Sequence, residues 1–382
     1  MCELPDEGTM RRLLRWGTRR SGVDLDEITI DDIPALTLGA GVLATGGGGE
    51  PFVPRLMVEE ALRRHGPVPL VQPGDLDPDG LLLPLAVVGA PTAFAERFFN
   101  GSEPRAALTA LERHLGRKGV GVLPIEVGGG STLLPIAAAA ELGLPVVDAD
   151  TMRRAFPRGE LTHFHLAGIS ASPIVLVDTA DNLVIVEATD NPTAERLARS
   201  ATTAMGMIAV GALYPVTAAQ AAAHAIHGSL SYCAEIGRHV RAIQEGAADG
   251  YTALLAATGG RIVFTGKIVD LNRRTEGGWA RGTVTLDDLD GANRTLRVDF
   301  QNENLVAGED GLPLVTTPDL ISLLDVETGT PMTTETLGYG QRLTVLALPA
   351  HPRWHEPDGI ELAGPRAFGY DLDYVPFGGH GE

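Results

Sequence analysis

Cysteine is nearly missing: the 382 residues include two. Cys2 stands at an end expected to fray and Cys233 in a helix-like stretch, so neither a disulfide framework nor a zinc knuckle can be built. Cys233 reads as a small buried hydrophobe, with a nucleophilic thiol as the alternative. Positive charge is also scarce. Lys and Arg number 30 against 49 Asp and Glu, a net charge of −19. Such a balance argues against nucleic acid and anionic membrane surfaces as partners, because both carry the same sign. No apolar run reaches the ~18 residues of a membrane span; Ile174 to Val177 and Leu183 to Val186 are short and strand-like. The N-terminus carries Glu3, Asp6 and Glu7, then arginines, with no apolar signal region behind them, so a cytoplasmic protein is expected. There is no phosphate loop of the G-x-x-x-x-G-K-S/T kind, no internal repeat, and no linker rich in Ser, Gly or Pro. The hydrophobic share of 44% is that of an ordinary soluble globular chain.

What is present is glycine, in two clusters that each touch one acid. The first is Thr45-Gly46-Gly47-Gly48-Gly49-Glu50-Pro51; the second is Glu126-Val127-Gly128-Gly129-Gly130-Ser131. Glycine adopts backbone angles closed to other residues, so such loops can aim successive N–H groups at an anion or oxyanion. A carboxylate beside each loop adds a base or proton carrier. The plain alternative is a pair of surface turns. Gly39, Gly41 and Ala44 also fit the G-x-G-x-x-A dinucleotide pattern. That pattern needs a strand before it and a helix opening within it. Here a helix is expected first, capped by Asp31 or Asp32, with Pro34 in its first turn and ended by the glycines from Gly46.

Strands and helices alternate in the N-terminal part. Helices are expected over 53–65, 104–115 and 133–142, and strands over 81–88, 119–125 and 145–147. The first strand ends at Gly89-Ala90-Pro91-Thr92, the second at Glu126, and the third delivers Asp148 and Asp150. This alternation predicts an α/β fold with a parallel sheet, whose ligands lie beyond the carboxyl ends of the strands. Residues 25–160 form this N-terminal α/β domain with its two Gly-rich loops. Residues 161–382 read as a β-rich C-terminal domain with an Ala-rich helical segment over 194–244. Its strands are expected at 163–166, 174–177, 183–187, 261–269, 282–286, 295–300, 320–324 and 342–348.

Several residues of this second part can carry chemistry. Gln301-Asn302-Glu303-Asn304 follows a strand and gathers amides and a carboxylate that suit a polar ring or a carbonyl; a hydrogen-bonded turn is the alternative. His163 and His165, two apart on a strand, would share a face and could bind a divalent metal with Asp148, Asp150 or Glu126 as third ligand. Arg366, in Gly364-Pro365-Arg366-Ala367-Phe368, is a candidate carboxylate clamp, or else one half of a structural ion pair.

Read in order, LGAGVLATGGGGEP, VLPIEVGGGS, GLPVVDADTMRRAFP, TGKIVDLNRRTEGGWARG, DFQNENLVA, TPDLISLLDVETGTPMTTETLGYGQR and GPRAFGYDLDYVP resemble the thiohydantoin desulfurase family, which includes S-methyl thiohydantoin desulfurase. The resemblance covers residues 25–375. Two positions depart from it: Arg153 stands where glycine is expected, and Arg158 where an acid is usual, departures in a loop that could alter substrate choice. The resemblance implies hydrolysis of a five-membered thiohydantoin, S-methylated or free and bearing a propionate arm, from ergothioneine-type breakdown. The products would be a hydantoin and methanethiol or sulfide. It implies a small-molecule substrate and no required cofactor; a homo-oligomer is expected. In that chemistry Glu126, Asp148 or Asp150 would activate water. Gly46 to Gly49 with Glu50, Gly128 to Gly130, Asn302, Glu303 and Asn304 would hold the ring, and Arg366 the carboxylate. The site would lie between the two domains. The rival readings are an accessory subunit of a hydantoinase or oxoprolinase assembly and a metal-dependent cyclic amidohydrolase built on His163 and His165.

Overall fold

A computed structural model describes residues 25–90, 93, 97 and 99–376. Cys2, the N-terminal acids and arginines, and the Pro91-Thr92 strand end lie outside the described residues. Among those described, the chain forms two large sheets. The first runs Glu27–Ile28, Val68–Val71, Val146–Val147, Gly119–Pro124, Leu81–Gly89, Ile208–Ala212, Ile174–Val177 and Leu183–Val186, with Val216–Thr217 beside Leu81–Gly89. Its centre is parallel: Val68–Val71 on Val146–Val147, and Gly119–Pro124 on both Val146–Val147 and Leu81–Gly89. The flanking pairs are antiparallel. The chain is therefore α/β, with a β-rich second part that carries helices.

Apolar runs explain the centre. Leu82, Leu83, Leu85, Val122 and Leu123 are buried, as a strand covered on both faces requires. The helices Phe52–His65, Glu103–Leu115 and Gly130–Leu142 form where helical periodicity placed them. Helix Ile33–Leu43 has Pro34 in its first turn and ends before Thr45 and Gly46, whose φ angles are 50° and 88°. A Cβ at Gly39 would lie 1.9 Å from the Cys233 carbonyl oxygen, and one at Gly237 1.7 Å from that of Ala35. Helices Ile33–Leu43 and Ser229–Gln244 thus cross backbone to backbone. The glycines that imitate a dinucleotide fingerprint serve this crossing.

The second sheet runs Leu312–Thr316, Glu303–Glu309, Thr295–Gln301, Trp279–Asp288, Arg261–Glu276, Arg342–Leu348, Leu320–Asp325 and Pro331–Met332, all antiparallel. Its own core includes Ile268, Val284, Leu286, Val298 and Val345.

Three local expectations differ from the structure. Residues 163–166 are a short helix, because the Thr162 hydroxyl accepts the His165 N–H at 2.9 Å and caps a turn that a strand would lack. The Ala-rich segment is interrupted by the fully buried strand Ile208–Ala212, which pairs with Leu81–Gly89 inside the first sheet. With Ile174–Val177 and Leu183–Val186 it carries the first sheet well past residue 160. No described helix is long and apolar enough to cross a membrane.

The sheets meet where helix Ile33–Leu43 ends. Carbonyl oxygens at a helix end lack intrahelical partners. At this end the Ser322 hydroxyl of the second sheet donates to Val42 O (2.6 Å), and just past the helix Asn304 N–H donates to Thr45 O (2.7 Å) and Thr334 N–H, from the turn after Pro331–Met332, to Gly46 O (2.7 Å).

Candidate functional site

Glu126 follows strand Gly119–Pro124 just before helix Gly130–Leu142. That short connection lets the chain reverse only through glycine: Gly129 has φ 56° and ψ −142°. The two glycine loops pack on each other. A Cβ at Gly129 would lie 2.2 Å from Gly48 O, and one at Gly48 2.8 Å from Gly128 O. Gly130 N–H donates to Gly48 O (2.9 Å), Gly129 N–H to Ala40 O (3.0 Å) and Gly47 N–H to Ala44 O (2.9 Å). Those three amides are committed inside the protein, so the expected anion nest does not form from them. The glycines permit close approach instead.

The approach brings a carboxyl group across from the second sheet. Strands Thr295–Gln301 and Glu303–Glu309 turn sharply at Asn302, which sits at φ 57° and exchanges hydrogen bonds with Ala280 (2.7 and 2.9 Å). Asn tolerates this left-handed conformation better than most residues. The turn aims Glu303 at the first glycine loop. A Cβ at Gly47 would lie 2.0 Å from Glu303 Oε1, and the Gly48 N–H donates to this carboxyl group.

Glu126, Asn302, Glu303, Gly48 and Gly49 all line one pocket beyond the ends of strands Leu81–Gly89 and Gly119–Pro124. Its apolar wall includes Val87, Ile125, Phe156 and Leu213. Burial pushes the Glu126 carboxyl up to about 8; hydrogen bonds from Ser131 and the Phe156 N–H (3.3 Å) hold it lower, the Asp150 charge adds to the rise, and Arg154 opposes it. Glu303 also lies well above the ordinary carboxylate value, through burial and then the charge of Glu126, with Arg154 again opposing.

Arg154 is the counter-ion, and it is completely buried. Its Nη1 donates to Pro318 O (2.5 Å) and Asp319 O (3.0 Å), its Nη2 to Thr45 Oγ1 (3.1 Å) and its Nε to Ala155 O (2.9 Å). The guanidinium lies 4.2 Å from the centre of the Phe156 ring. Burial lowers its pKa to about 10, against the pull of Glu303, Asp319 and Glu126. One fixed cation thus faces two carboxyl groups. Like charges this close cannot both ionise freely, so the pair retains a proton that a single acid would release.

The other acids behave differently. Asp150 accepts from Val127 N–H (2.9 Å), Met152 N–H (3.2 Å), Arg153 N–H (2.6 Å) and the Ser229 hydroxyl (2.6 Å). Asp148 accepts from Leu230 N–H (2.8 Å), Ser231 N–H (3.1 Å), the Ser231 hydroxyl (2.6 Å) and Gln72 Nε2 (3.4 Å), capping helix Ser229–Gln244. Neither lines the pocket. Their lone pairs already have partners, and they brace the loop 151–157 and that helix. Glu50 accepts the Phe52 N–H (2.9 Å) at the start of helix Phe52–His65. The Asn304 amide donates to Ile321 O (2.9 Å), and Gly46 is tied to Thr334, so both hold the sheet junction together.

Arg366 lies away from the pocket, exposed and paired with Asp371 (3.2 Å) and Asp373 (2.7 Å). His163 packs between the rings of His351 (5.1 Å) and Trp354 (5.0 Å), and burial lowers its pKa to about 3. His165 Nδ1 meets Asn191 Nδ2 at 3.0 Å. The two rings serve different neighbours, as a helical turn dictates, and no group of three or more His, Cys, Asp or Glu able to hold a metal occurs among the described residues. Cys233 is buried, and burial raises its thiol far above the ordinary value, as befits a small hydrophobe.

Sequence reasoning passed over Arg154 and, beyond marking Arg158 as a departure able to alter substrate choice, gave no site role to Arg158 and Arg199. The last two line the pocket. Arg158 carried a signal, since its position departs from the resemblance; Arg199, four residues after Glu195, reads as an ordinary surface pair on a helix.

An S-Me-THD-like N-terminal domain model matches residues 31–188, and an S-Me-THD-like C-terminal domain model matches residues 189–377. No curated protein matches the chain. A crystal structure of a protein from Chromobacterium violaceum is similar at 26% identity, over 92% of this chain and 99% of that one, with a TM-score of 0.75. With both domain models matched in sequence order over nearly all the described residues, the chain belongs to the S-Me-THD-like family, that of the S-methyl thiohydantoin desulfurases.

Proposed function

We propose that the protein hydrolyses the carbon–sulfur bond of a thiohydantoin, free or S-methylated, yielding a hydantoin and sulfide or methanethiol. The observation that carries this reading is the pair Glu126 and Glu303, two buried carboxyl groups in one pocket, with the buried Arg154 guanidinium opposing the rise of both. Replacing sulfur by oxygen at a ring carbon needs a base to take a proton from water and an acid to meet the departing sulfur. A pair sharing one proton supplies both. Glu126 takes one water proton as the oxygen adds to the ring carbon. Glu303 delivers a proton to the sulfur as its bond to carbon breaks; the second water proton ends on the ring nitrogen of an S-methylated substrate, or on the departing sulfide of a free thiohydantoin. Proton return from Glu126 to Glu303 resets the pair. Asn302, at the tip between the two strands and in the pocket lining, holds the ring edge in this reading.

The residues doing this need no nucleotide and no redox partner. Purified protein incubated with thiohydantoin, S-methyl thiohydantoin and hydantoin should release thiol or sulfide from the sulfur compounds and leave hydantoin closed. Strict dependence on ATP or NAD(P)H would sink this reading, and so would opening of the hydantoin ring. The metal-dependent amidohydrolase alternative is not favoured, because His163 packs edge-on to His351 and tilted against Trp354 while His165 faces Asn191.

A further inference from the structure

We infer that Arg158 and Arg199 form a monoanion-binding subsite in the wall of this pocket and select ring substrates that carry a carboxylate arm. The inference rests on the pocket being the substrate site proposed above, and it replaces Arg366, which is exposed and paired with Asp371 and Asp373.

Both arginines line the pocket, and ring and ion-pair contacts hold their guanidinium groups. Arg199 lies 3.7 Å from the centre of the Trp279 ring; its Nε and Nη2 donate to Glu195 Oε1 (2.8 and 2.6 Å), and Nη2 also reaches Pro157 O (3.1 Å). Arg158 lies 5.2 Å from the Phe368 ring and pairs through Nη1 with Glu160 Oε1 (3.3 Å). These contacts leave donors over. Arg199 Nη1 and Arg158 Nε are buried, and neither has an acceptor among the described residues. A buried guanidinium N–H without a partner is unfavourable, and a ligand oxygen at that place removes the penalty.

Charge narrows the ligand. Each arginine already has a carboxyl partner, Arg199 in Glu195 and Arg158 in Glu160, so with both ionised the wall carries no net charge. A dianion such as a phosphate monoester would overload that wall, whereas one carboxylate matches the spare donors. Burial and the charge of Glu195 lift the Glu160 carboxyl to about 7, so it can take up a proton when an anion arrives beside Arg158. The arm of the substrate would then lie along the loop 157–159, with the ring toward Glu126 and Glu303.

The test uses two probes that differ in one group, hydantoin propionate and its carboxamide, titrated calorimetrically into the whole protein. Wild-type protein should bind the acid at least about tenfold more tightly than the amide, as expected for a charge-assisted pair of hydrogen bonds. That preference should vanish in Arg158→Leu and in Arg199→Met. Arg158→Glu should reverse it, and needs no loss of fold to be informative because Arg158 is partly exposed at 28%. Equal affinity for acid and amide in wild-type protein, or no binding of either, would overturn the subsite. Failure to desulfurise with the acid preference intact would overturn only the reaction, so the two readings fail separately.

Discussion

Glu126 and Asp150 are both buried carboxyl groups placed where strands of the first sheet run out, and burial raises both above their ordinary values. Their surroundings differ. Asp150 receives three backbone N–H groups and a hydroxyl at 2.6–3.2 Å. Glu126 receives one backbone N–H at 3.3 Å and the Ser131 hydroxyl, and faces a second carboxyl group. Position at a strand end therefore does not separate a carboxyl group left open to exchange from one tied down. The number of donors around the carboxyl group does: a fully solvated-by-protein carboxylate has nothing left to exchange, whereas a poorly satisfied one beside a like charge can take up and release a proton.

The sharpest way to break this comparison is to remove each charge in turn. Glu126→Gln should lower kcat by roughly 10²–10⁴, the usual worth of general acid–base help, while the protein stays folded. The same variant should erase a pH limb. The working base is ionised, so kcat/KM should rise with pH through about 8 in the natural protein and lose that rise in the variant. Stability should move the opposite way. The folded-state value lies above the ordinary 4.5, so the folded chain holds a proton that the unfolded chain releases; this contribution is complete below about 4.5 and is lost as pH rises through about 8. Glu126→Gln should flatten that fall, read as melting temperature against pH.

Asp150→Asn should show the reverse pattern. An amide turns an NH₂ group toward donors that need an acceptor, at a cost of about 2–4 kcal/mol in urea unfolding. The folded fraction should keep near-normal kcat. A silent Asp150→Asn in stability with a large loss of kcat would invert the assignment of the two acids.

Gly47→Ala should have a smaller effect, about tenfold in kcat/KM, because its Cβ would fall 2.0 Å from Glu303 Oε1 and push that carboxyl group aside. Gly74→Ala, where a Cβ meets nothing within 4 Å, is the matching control and should leave activity unchanged. Equal rates for the two variants would show that the position of Glu303 is immaterial. Least of all should change in Arg366→Ala: its partners Asp371 and Asp373 are exposed, and such pairs contribute little. A large rise in KM there would return the carboxylate clamp to the C-terminal segment.

Much of the fold was legible because its signals are local. The apolar runs at 81–88 and 119–125 and the helical periodicities between them are set by neighbouring residues, and so is the polar run that brings Asn302 and Glu303 into view. The strand Ile208–Ala212 was hidden because its small residues resemble the alanines around it; only the sheet it enters gives it a partner. His163 and His165 misled because one capping hydroxyl, on Thr162, converts a strand-like stretch into a turn of helix. Asp148 and Asp150 look reactive until Ser229, Leu230 and Ser231 arrive from a distant helix to satisfy them. Arg154 carried no local mark at all. Its carbonyl partners on Pro318 and Asp319 are backbone atoms, which no side-chain pattern announces.

The backbone hydrogen bonds that tie the loop after helix Ile33–Leu43 to the second part of the chain give the molecule a built-in clock. Asn304 and Thr334 donate their amides to Thr45 and Gly46, so either amide can exchange its hydrogen with water only when the two sheets part at that seam. The same parting would lift Glu303 from the first glycine loop, since Glu303 directly precedes Asn304 in its strand. Deuterium uptake at two backbone positions thus times how long the two carboxyl groups remain together, without any substrate present.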